Sequence, residues 1–308
     1  MRNKLKIIFD FLRIDHAIMI LLVICFSLLE NYKHGMLLVD FYTLFPFVFI
    51  PFFITLYSFA INDILDYKTD IKNKRSDRPL ANNLLSISEA KFIVRLIWVL
   101  LLLLFLVAAY YSKDNLNLFV ALIVLWIFYV FSLLYSVYLK DMYVVGNIFI
   151  AFSMAIPFAY AGILSLNVTT TQKLLFVIAF LMGLARELIK SIQDIEGDVA
   201  ERNSRTLPVL IGKVNSFRLA FWFIATSLLI ALINLFLSFI VLLEPINSIN
   251  ILMSIVLVIT IGYAYLYALS INSDDNLHLE KFRNLTKKLM VINILFYFVS
   301  IIIGVTIN

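Results

Sequence analysis

The chain has 308 residues, 63% of them hydrophobic and 15% charged, with a mean hydropathy of +0.98. So little polar surface could not cover the core of a water-soluble domain, and the composition excludes one. The net charge of +5 is segregated along the chain, which reports membrane orientation and gives no reason to expect nucleic acid.

A helix rises about 1.5 Å per residue, so roughly 20 apolar residues cross the hydrocarbon layer. Backbone polar groups cannot go unpaired in lipid, and these runs are continuously apolar rather than alternating, which predicts helices and not a barrel. The expected fold is all-α, an integral membrane bundle of about nine spans. In chain order they fall near 14–34, 43–65, 93–112, 116–137, 143–165, 173–193, 217–240, 248–271 and 287–306. The basic stretch MRNKLKIIFDFLRID leads straight into the first span without a small-residue cleavage site and reads as an anchor. Cys25, the single cysteine, sits inside that span, so neither a disulfide framework nor a thiolate metal site is expected. Pro46, Pro51 and Pro157 fall inside spans and predict kinks. His16, His34 and His278 share no ligand spacing.

With the N-terminus inside, 22 of the 25 Lys and Arg residues lie on the inner side. Only Lys33, Lys113 and Lys173 lie outside. The positive-inside rule then places the N-terminus in the cytoplasm of a multi-pass cell-membrane protein.

Two long polar segments follow directly from spans on that same side. The first begins NDILDYKTDIKNKRSDRPL and the second QDIEGDVAERNSRTLPVL. An offset of 128 residues aligns Asp66 with Asp194 and Asp70 with Asp198. Four spans separate the segments, which suggests one domain, 1–308, of two repeated four-helix units (roughly 14–137 and 143–271) and a final helix 287–306.

Asn62, Asp66 and Asp70 stand at i, i+4 and i+8, on one helical face, while Asp63 is about 100° round. Glu187, Lys190, Asp194 and Asp198 form a similar stripe. Rows of acids at a membrane boundary repel one another and are costly to desolvate, so such rows usually hold a cation. An oxygen-only donor set selects a hard ion, and Mg²⁺ favours one or two carboxylates with substrate phosphate oxygens. Arg78, Lys140, Lys190 and Arg205 nearby would suit a diphosphate–Mg²⁺ cluster. Asn147 is a polar group inside a span that needs either a neighbouring helix or a substrate. A transporter could also use intramembrane acids, but those would sit near mid-membrane rather than at helix ends beside long loops.

At these residues the chain resembles the UbiA superfamily of intramembrane prenyltransferases. The motif N-D-x-x-D-x-x-x-D stands intact from Asn62 to Asp70, followed by R-P-L at Arg78-Pro79-Leu80. D-x-x-x-D stands at Asp194 to Asp198, leading to Arg205-Thr206-Leu207-Pro208 and Gly212. Tyr135, Lys140 and Asn147 match the pattern between the halves, and Arg13-Ile14-Asp15 looks like the family's entry to the first helix. Within the superfamily, RELIKSIQDIEGD at 186–198 looks most like the digeranylgeranylglyceryl phosphate synthases. Ser191 and Gln193 depart from that pattern where acids are usual, and Leu80-Ala81-Asn82-Asn83 departs from the usual R-P-I/L-P-S-G continuation.

The resemblance implies a UbiA-type fold and Mg²⁺ held on a prenyl diphosphate by Asn62, Asp66, Asp70, Asp194 and Asp198. Arg78, Lys140 and Lys190 would help bind the diphosphate. Glu187 would orient or deprotonate the acceptor, and Arg13, Lys68 and Asn147 would serve acceptor binding. The implied acceptor is a lipid-like phosphate, geranylgeranylglyceryl phosphate, which would gain the second ether bond of archaeal lipids from geranylgeranyl diphosphate. An aromatic quinone precursor is the alternative acceptor.

Overall fold

A computed structural model describes residues 4–33, 35, 39–72, 78–165, 167–202, 205–240, 247–272 and 275–306. For Asp141, Tyr143 and residues 196–202, 205, 247–250 and 304–306 only the backbone is described.

The apolar runs fold as helices wherever a local signal stops the chain from continuing straight. Helix α1 (Lys4–Leu12) breaks at Arg13, whose φ of 48° is left-handed, and α2 (Ile14–Lys33) then turns into the bundle. Asp40 caps α3 (Phe41–Leu65) by accepting from Thr43 N at 2.9 Å. Those bonds to the Thr43 backbone and hydroxyl hold the Asp40 carboxyl below the usual carboxylate range. A short helix α4 (Tyr67–Lys72) continues α3 past Asp66. Ser86 and Glu89 close a capping box at the start of α5 (Ile87–Tyr111), and Asn115 caps α6 (Leu116–Val137).

A 3₁₀ turn at Leu139–Asp141 and a two-residue strand β1 (Met142–Tyr143) lead into α7 (Val145–Ser165). Helix α8 (Thr170–Arg202) contains the sixth expected span and runs beyond it through the second acidic motif. Strand β2 (Arg205–Thr206) pairs in parallel with β1, Met142 opposite Arg205. After the short α9 (Leu207–Ile211) come α10 (Lys213–Ile240), α11 (Asn247–Leu269) and α12 (Asn276–Thr306). Asp275 opens α12, and bonds from the His278 backbone and ring hold its carboxyl below the usual range.

Among the described residues, eight helices are long and apolar enough to cross a membrane: α2, α3, α5, α6, α7, α10, α11 and α12. Helix α8 has 33 residues, about 50 Å at 1.5 Å per residue, and its second half carries charge. The expectation of about nine membrane helices agrees with this architecture.

The interior has two apolar clusters. One is built around Phe11, Phe47, Ile50, Leu101 and Leu118 from the first half of the chain. The other is built around Ile189, Ile224, Leu257, Phe282 and Tyr297 from the second half, and α2 contributes to both. Helices α7 and α8 approach unusually closely because Gly183 faces Ala151. A Cβ at 183 would stand 3.0 Å from the Ala151 Cα, the close backbone approach that small residues permit between membrane helices. Large side chains such as Trp98, Leu103, Trp222 and Phe236 are exposed along α5 and α10, as lipid-facing surfaces require.

Candidate active site

The first acidic motif sits where α3 hands over to α4. Asp66 N donates to Asn62 O and Asp70 N to Asp66 O, both at 2.8 Å, so the i, i+4 stripe survives the change of helix. The side chains follow it, with Asn62 Nδ2 donating to Asp66 Oδ2 at 2.9 Å. Lys140 reaches in from the 3₁₀ turn and donates to Asp66 Oδ1 at 2.5 Å. Gly146 lets that turn sit so close, because a Cβ there would lie 2.8 Å from Leu139 O.

Asp63 faces inward from the stripe and is 1% exposed. It accepts from Arg13 Nη2 at 2.8 Å and from Arg78 Nη1. Arg78 Nε stands 3.9 Å from Asp70 Oδ2, so Arg78 ties Asp63 to the stripe. Arg13 also covers the Phe59 ring at 4.4 Å. Sequence spacing gave Asp63 no role; its partners come from the break before α2 and the loop after α4.

The second motif lies on α8, against which α4 packs. Asp194 is half-buried there, while the side chains of Asp198 and Arg205 lie outside those described. The β1–β2 pairing binds the Lys140 turn to the segment that follows α8. Both acidic segments and Lys140 therefore gather at one end of the bundle.

Two turns back along α8 from Asp194, Glu187 is 4% exposed. Arg186 Nη1 and Lys190 Nζ each lie 3.5 Å from it. Ser191 Oγ donates to Glu187 O at 2.9 Å and to Asn147 Oδ1 at 3.4 Å. Asn147 Oδ1 thus takes a helix-to-helix bond between α7 and α8, while its buried Nδ2 has no hydrogen-bond partner among the described residues; the side chain does not line the cavity described below. Lys68 is exposed on α4 and also lies off that cavity, as do Asp66, Lys140 and Asp194. Gln193 bridges α8 to α12, donating to Asn276 O at 3.2 Å and accepting from Arg283 Nη1 at 2.8 Å.

Beneath this end lies a cavity of about 690 Å³ walled by α1, α2, α3, α6, α7, α8, α11 and α12. Its deep part is apolar and aromatic, including Ile24, Ile54, Phe128, Phe149 and Leu257. Its mouth carries Arg13, Arg78, Arg186, Lys190, Arg283 and Lys287 against Asp10, Asp15 and Glu187. Six cations face three carboxylates, a surplus that favours an anion. Lys287 is paired with Asp15. At the other end Tyr297 lines the cavity and bonds Glu30, which also accepts from Thr169 Oγ1 at 2.9 Å.

The donor set can be tested against Mg²⁺. Asn62 Oδ1 is buried with no hydrogen-bond donor, an orphaned acceptor next to Asp66. Among the described residues no three His, Cys, Asp or Glu side chains stand together as a metal site of their own. Oxygen donors few enough to leave positions for phosphate and water are what Mg²⁺ takes, so the residues fit.

An acid-lined end thus stands above an apolar, cation-rimmed cavity inside a bundle of membrane helices, the arrangement of an intramembrane enzyme. Residues 19–303 match the model of the UbiA prenyltransferase family, and the chain belongs to that family. It is 32% identical to the digeranylgeranylglyceryl phosphate synthase of Archaeoglobus fulgidus over 238 residues, 77% of each chain. It is 33% identical to that of Methanothrix thermoacetophila over 56% of this chain and 60% of the relative. A solved structure from work on digeranylgeranylglyceryl phosphate synthase in membranes superposes with a TM-score of 0.62 at 24% identity, covering 97% of this chain and 99% of the other. A UbiA homologue from Archaeoglobus fulgidus bound to DMAPP and Mg²⁺ superposes with a TM-score of 0.59 at 17% identity, covering 96% and 98%. The chain is a prenyltransferase, and the digeranylgeranylglyceryl phosphate synthases are among its relatives.

Proposed function

We propose that the protein transfers a geranylgeranyl group from geranylgeranyl diphosphate to geranylgeranylglyceryl phosphate, forming the second ether bond of an archaeal lipid. The observation that carries this reading is the joining of an acidic helix end to an apolar cavity whose rim holds more cations than acids. A prenyl chain suits the cavity, and a phosphate suits the rim. The basic bias of the connecting segments supports a cytoplasmic active-site end. Emergence of both motif segments at one end supports reading the chain as two four-helix units with a final helix.

Asn62, Asp66, Asp70, Asp194 and Asp198 would hold Mg²⁺, with Arg78, Lys140 and Lys190 beside the diphosphate. When bound, Mg²⁺ supplies Lewis-acid neutralisation of the departing diphosphate. Lys140 and Asn62 keep Asp66 aimed. Arg13 and Arg78 fix Asp63, and through it the stripe, so Arg13 acts as a positioning residue. The apolar wall, with Phe59, Phe128 and Phe149, excludes water from the allylic carbon while its bond to oxygen breaks. Aromatic faces also favour the positive charge that develops there. The acceptor hydroxyl oxygen then bonds to that carbon, and its proton passes to the departed diphosphate. Glu187 is shared by two cations, which weakens it as a base, and it suits the role of organising them.

Purified protein supplied with Mg²⁺, geranylgeranyl diphosphate and either geranylgeranylglyceryl phosphate or an aromatic acid tests this directly. Ether-lipid product from the phosphate acceptor is expected. A prenylated arene with no ether lipid would overturn the reading.

A further inference from the structure

We propose that the rings of Tyr160 and Tyr297 form a fixed floor under the cavity, and that this floor stops the donor's isoprenoid tail at geranylgeranyl length. The inference deepens the reading above, since it names what sets the length of the donor. It rests on a prenyl tail lying in the cavity and does not depend on which acceptor is used.

Both tyrosines line the cavity, and both are buried, Tyr160 at 3% and Tyr297 at 1% exposed. Each is held by its hydroxyl to a group outside the cavity wall. For Tyr160 the reason lies in Pro51 of α3, which also lines the cavity. Pro51 has no N–H, so the Phe47 carbonyl four residues earlier loses its helical donor. Tyr160 donates to that carbonyl from α7 at 3.1 Å, as a bare carbonyl inside a membrane requires. A proline in one helix therefore fixes an aromatic ring on another.

Tyr297 on α12 donates to Glu30 of α2, which also accepts from Thr169 Oγ1 at 2.9 Å. Beside it, Gln172 donates to Ser27 O at 3.0 Å and to Asn31 Oδ1 at 2.8 Å. Glu30, Ser27, Asn31 and Gln172 are all buried, and none of them lines the cavity. A hydrocarbon tail offers these groups no hydrogen bond. Displacing either ring would leave buried polar atoms unpaired, so the floor resists a tail that presses on it.

The depth of the cavity matches a particular tail. Asn62 to Pro51 on α3 and Lys287 to Tyr297 on α12 run from rim to floor. These spacings of 11 and 10 residues correspond to about 17 and 15 Å at 1.5 Å per residue. With carbon–carbon bonds of about 1.5 Å, an isoprene unit extends about 5 Å, so the depth takes roughly three to four units. Geranylgeranyl has four, the first of them at the rim, where the reacting carbon must meet the acids. A fifth unit would press on the tyrosines.

The test uses the full chain in detergent micelles with Mg²⁺ and three non-transferable donors, the thiolodiphosphates of farnesol, geranylgeraniol and geranylfarnesol. Calorimetric titration reads their Kd values without any acceptor. We expect wild type to bind the geranylgeranyl analogue at least tenfold more tightly than the longer geranylfarnesyl one. Removing either ring, in Tyr160→Ala or Tyr297→Ala, should bring the two within threefold. Tyr297→Phe keeps the ring and should keep the order. Ile294 lines the cavity one helical turn nearer the rim than Tyr297. Ile294→Phe raises the floor and should make the farnesyl analogue bind more tightly than the geranylgeranyl one, a reversal that poor folding could not produce.

Equal binding of the two longer analogues by wild type would show that the tail leaves the cavity sideways, and would overturn the floor. So would an unchanged ratio in either alanine variant, or no reversal in Ile294→Phe. If the length preference follows the rings but no ether lipid forms, the proposed function fails and the floor stands. If ether lipid forms equally well from geranylfarnesyl diphosphate, the proposed chemistry stands and the floor fails.

Discussion

Lys140 and Asp66, 74 residues apart in sequence, form a partly buried ion pair at 2.5 Å that joins the end of α3 to the turn before α7. The pair sets the direction of one carboxylate oxygen while Asn62 sets the other. Two oxygens fixed by different elements make a rigid donor, which is what a metal site built from few protein ligands requires.

Replacing Lys140 by Met should lower turnover with geranylgeranyl diphosphate by about 10² to 10³-fold, the usual cost of removing one preorganised electrostatic group. Steady-state rates of product formation would read it. Retention of wild-type kcat would show that Lys140 only marks orientation.

Chelation by EDTA should abolish turnover, and Mg²⁺ should restore it. Asn62→Ala removes the orphaned acceptor and should shift the restoring Mg²⁺ concentration upward. A Mg²⁺ titration of both proteins measures the shift; identical curves would exclude Asn62 from the ion's surroundings.

Asp63→Asn leaves two guanidinium groups without their shared charge. Breaking a buried pair by removing one partner costs about 3–5 kcal/mol, so the thermal midpoint in detergent should fall clearly. Asp40→Asn, on an exposed cap whose side chain can still accept from Thr43, should change it little. Equal midpoints for Asp63→Asn and wild type would show that the arginines find other partners.

Gly146→Ala would press a methyl group against Leu139 O. Overpacking of this kind costs about 1–3 kcal/mol, here relieved most easily by moving the turn that carries Lys140. Activity should fall towards that of the Lys140 variant while the far half of the bundle stays folded, as read by limited proteolysis.

The membrane class, most spans and the Asn62–Asp66–Asp70 stripe were legible because they are local: apolar run length and helical spacing decide them. Spacing gives Asp63 no role for the same reason. Its angle around α3 was correct, but which neighbours meet that angle depends on Arg13 and on a loop, Arg78, that spacing does not place. In sequence Arg186 stands within a motif run and Arg283 among the inner-side basic residues, nearly a hundred positions apart. Only the packing of α12 beside α8 brings them to the same rim. Asn147 needs a partner inside its span, and Ser191, one of the two departures from the family pattern, meets its Oδ1 but not its Nδ2. Lys68 lies on the exposed face of α4.

Helices α5 and α10 contribute no residue to the cavity wall, although each carries a broad exposed apolar face. The molecule thus divides its labour between helices that meet the bilayer and helices that meet the reactants. Drift in the outward-facing residues of those two buttresses can tune insertion and anchoring to a host membrane of any thickness. The chemistry is insulated from that adaptation, because the pieces that grip lipid are not the pieces that grip substrate.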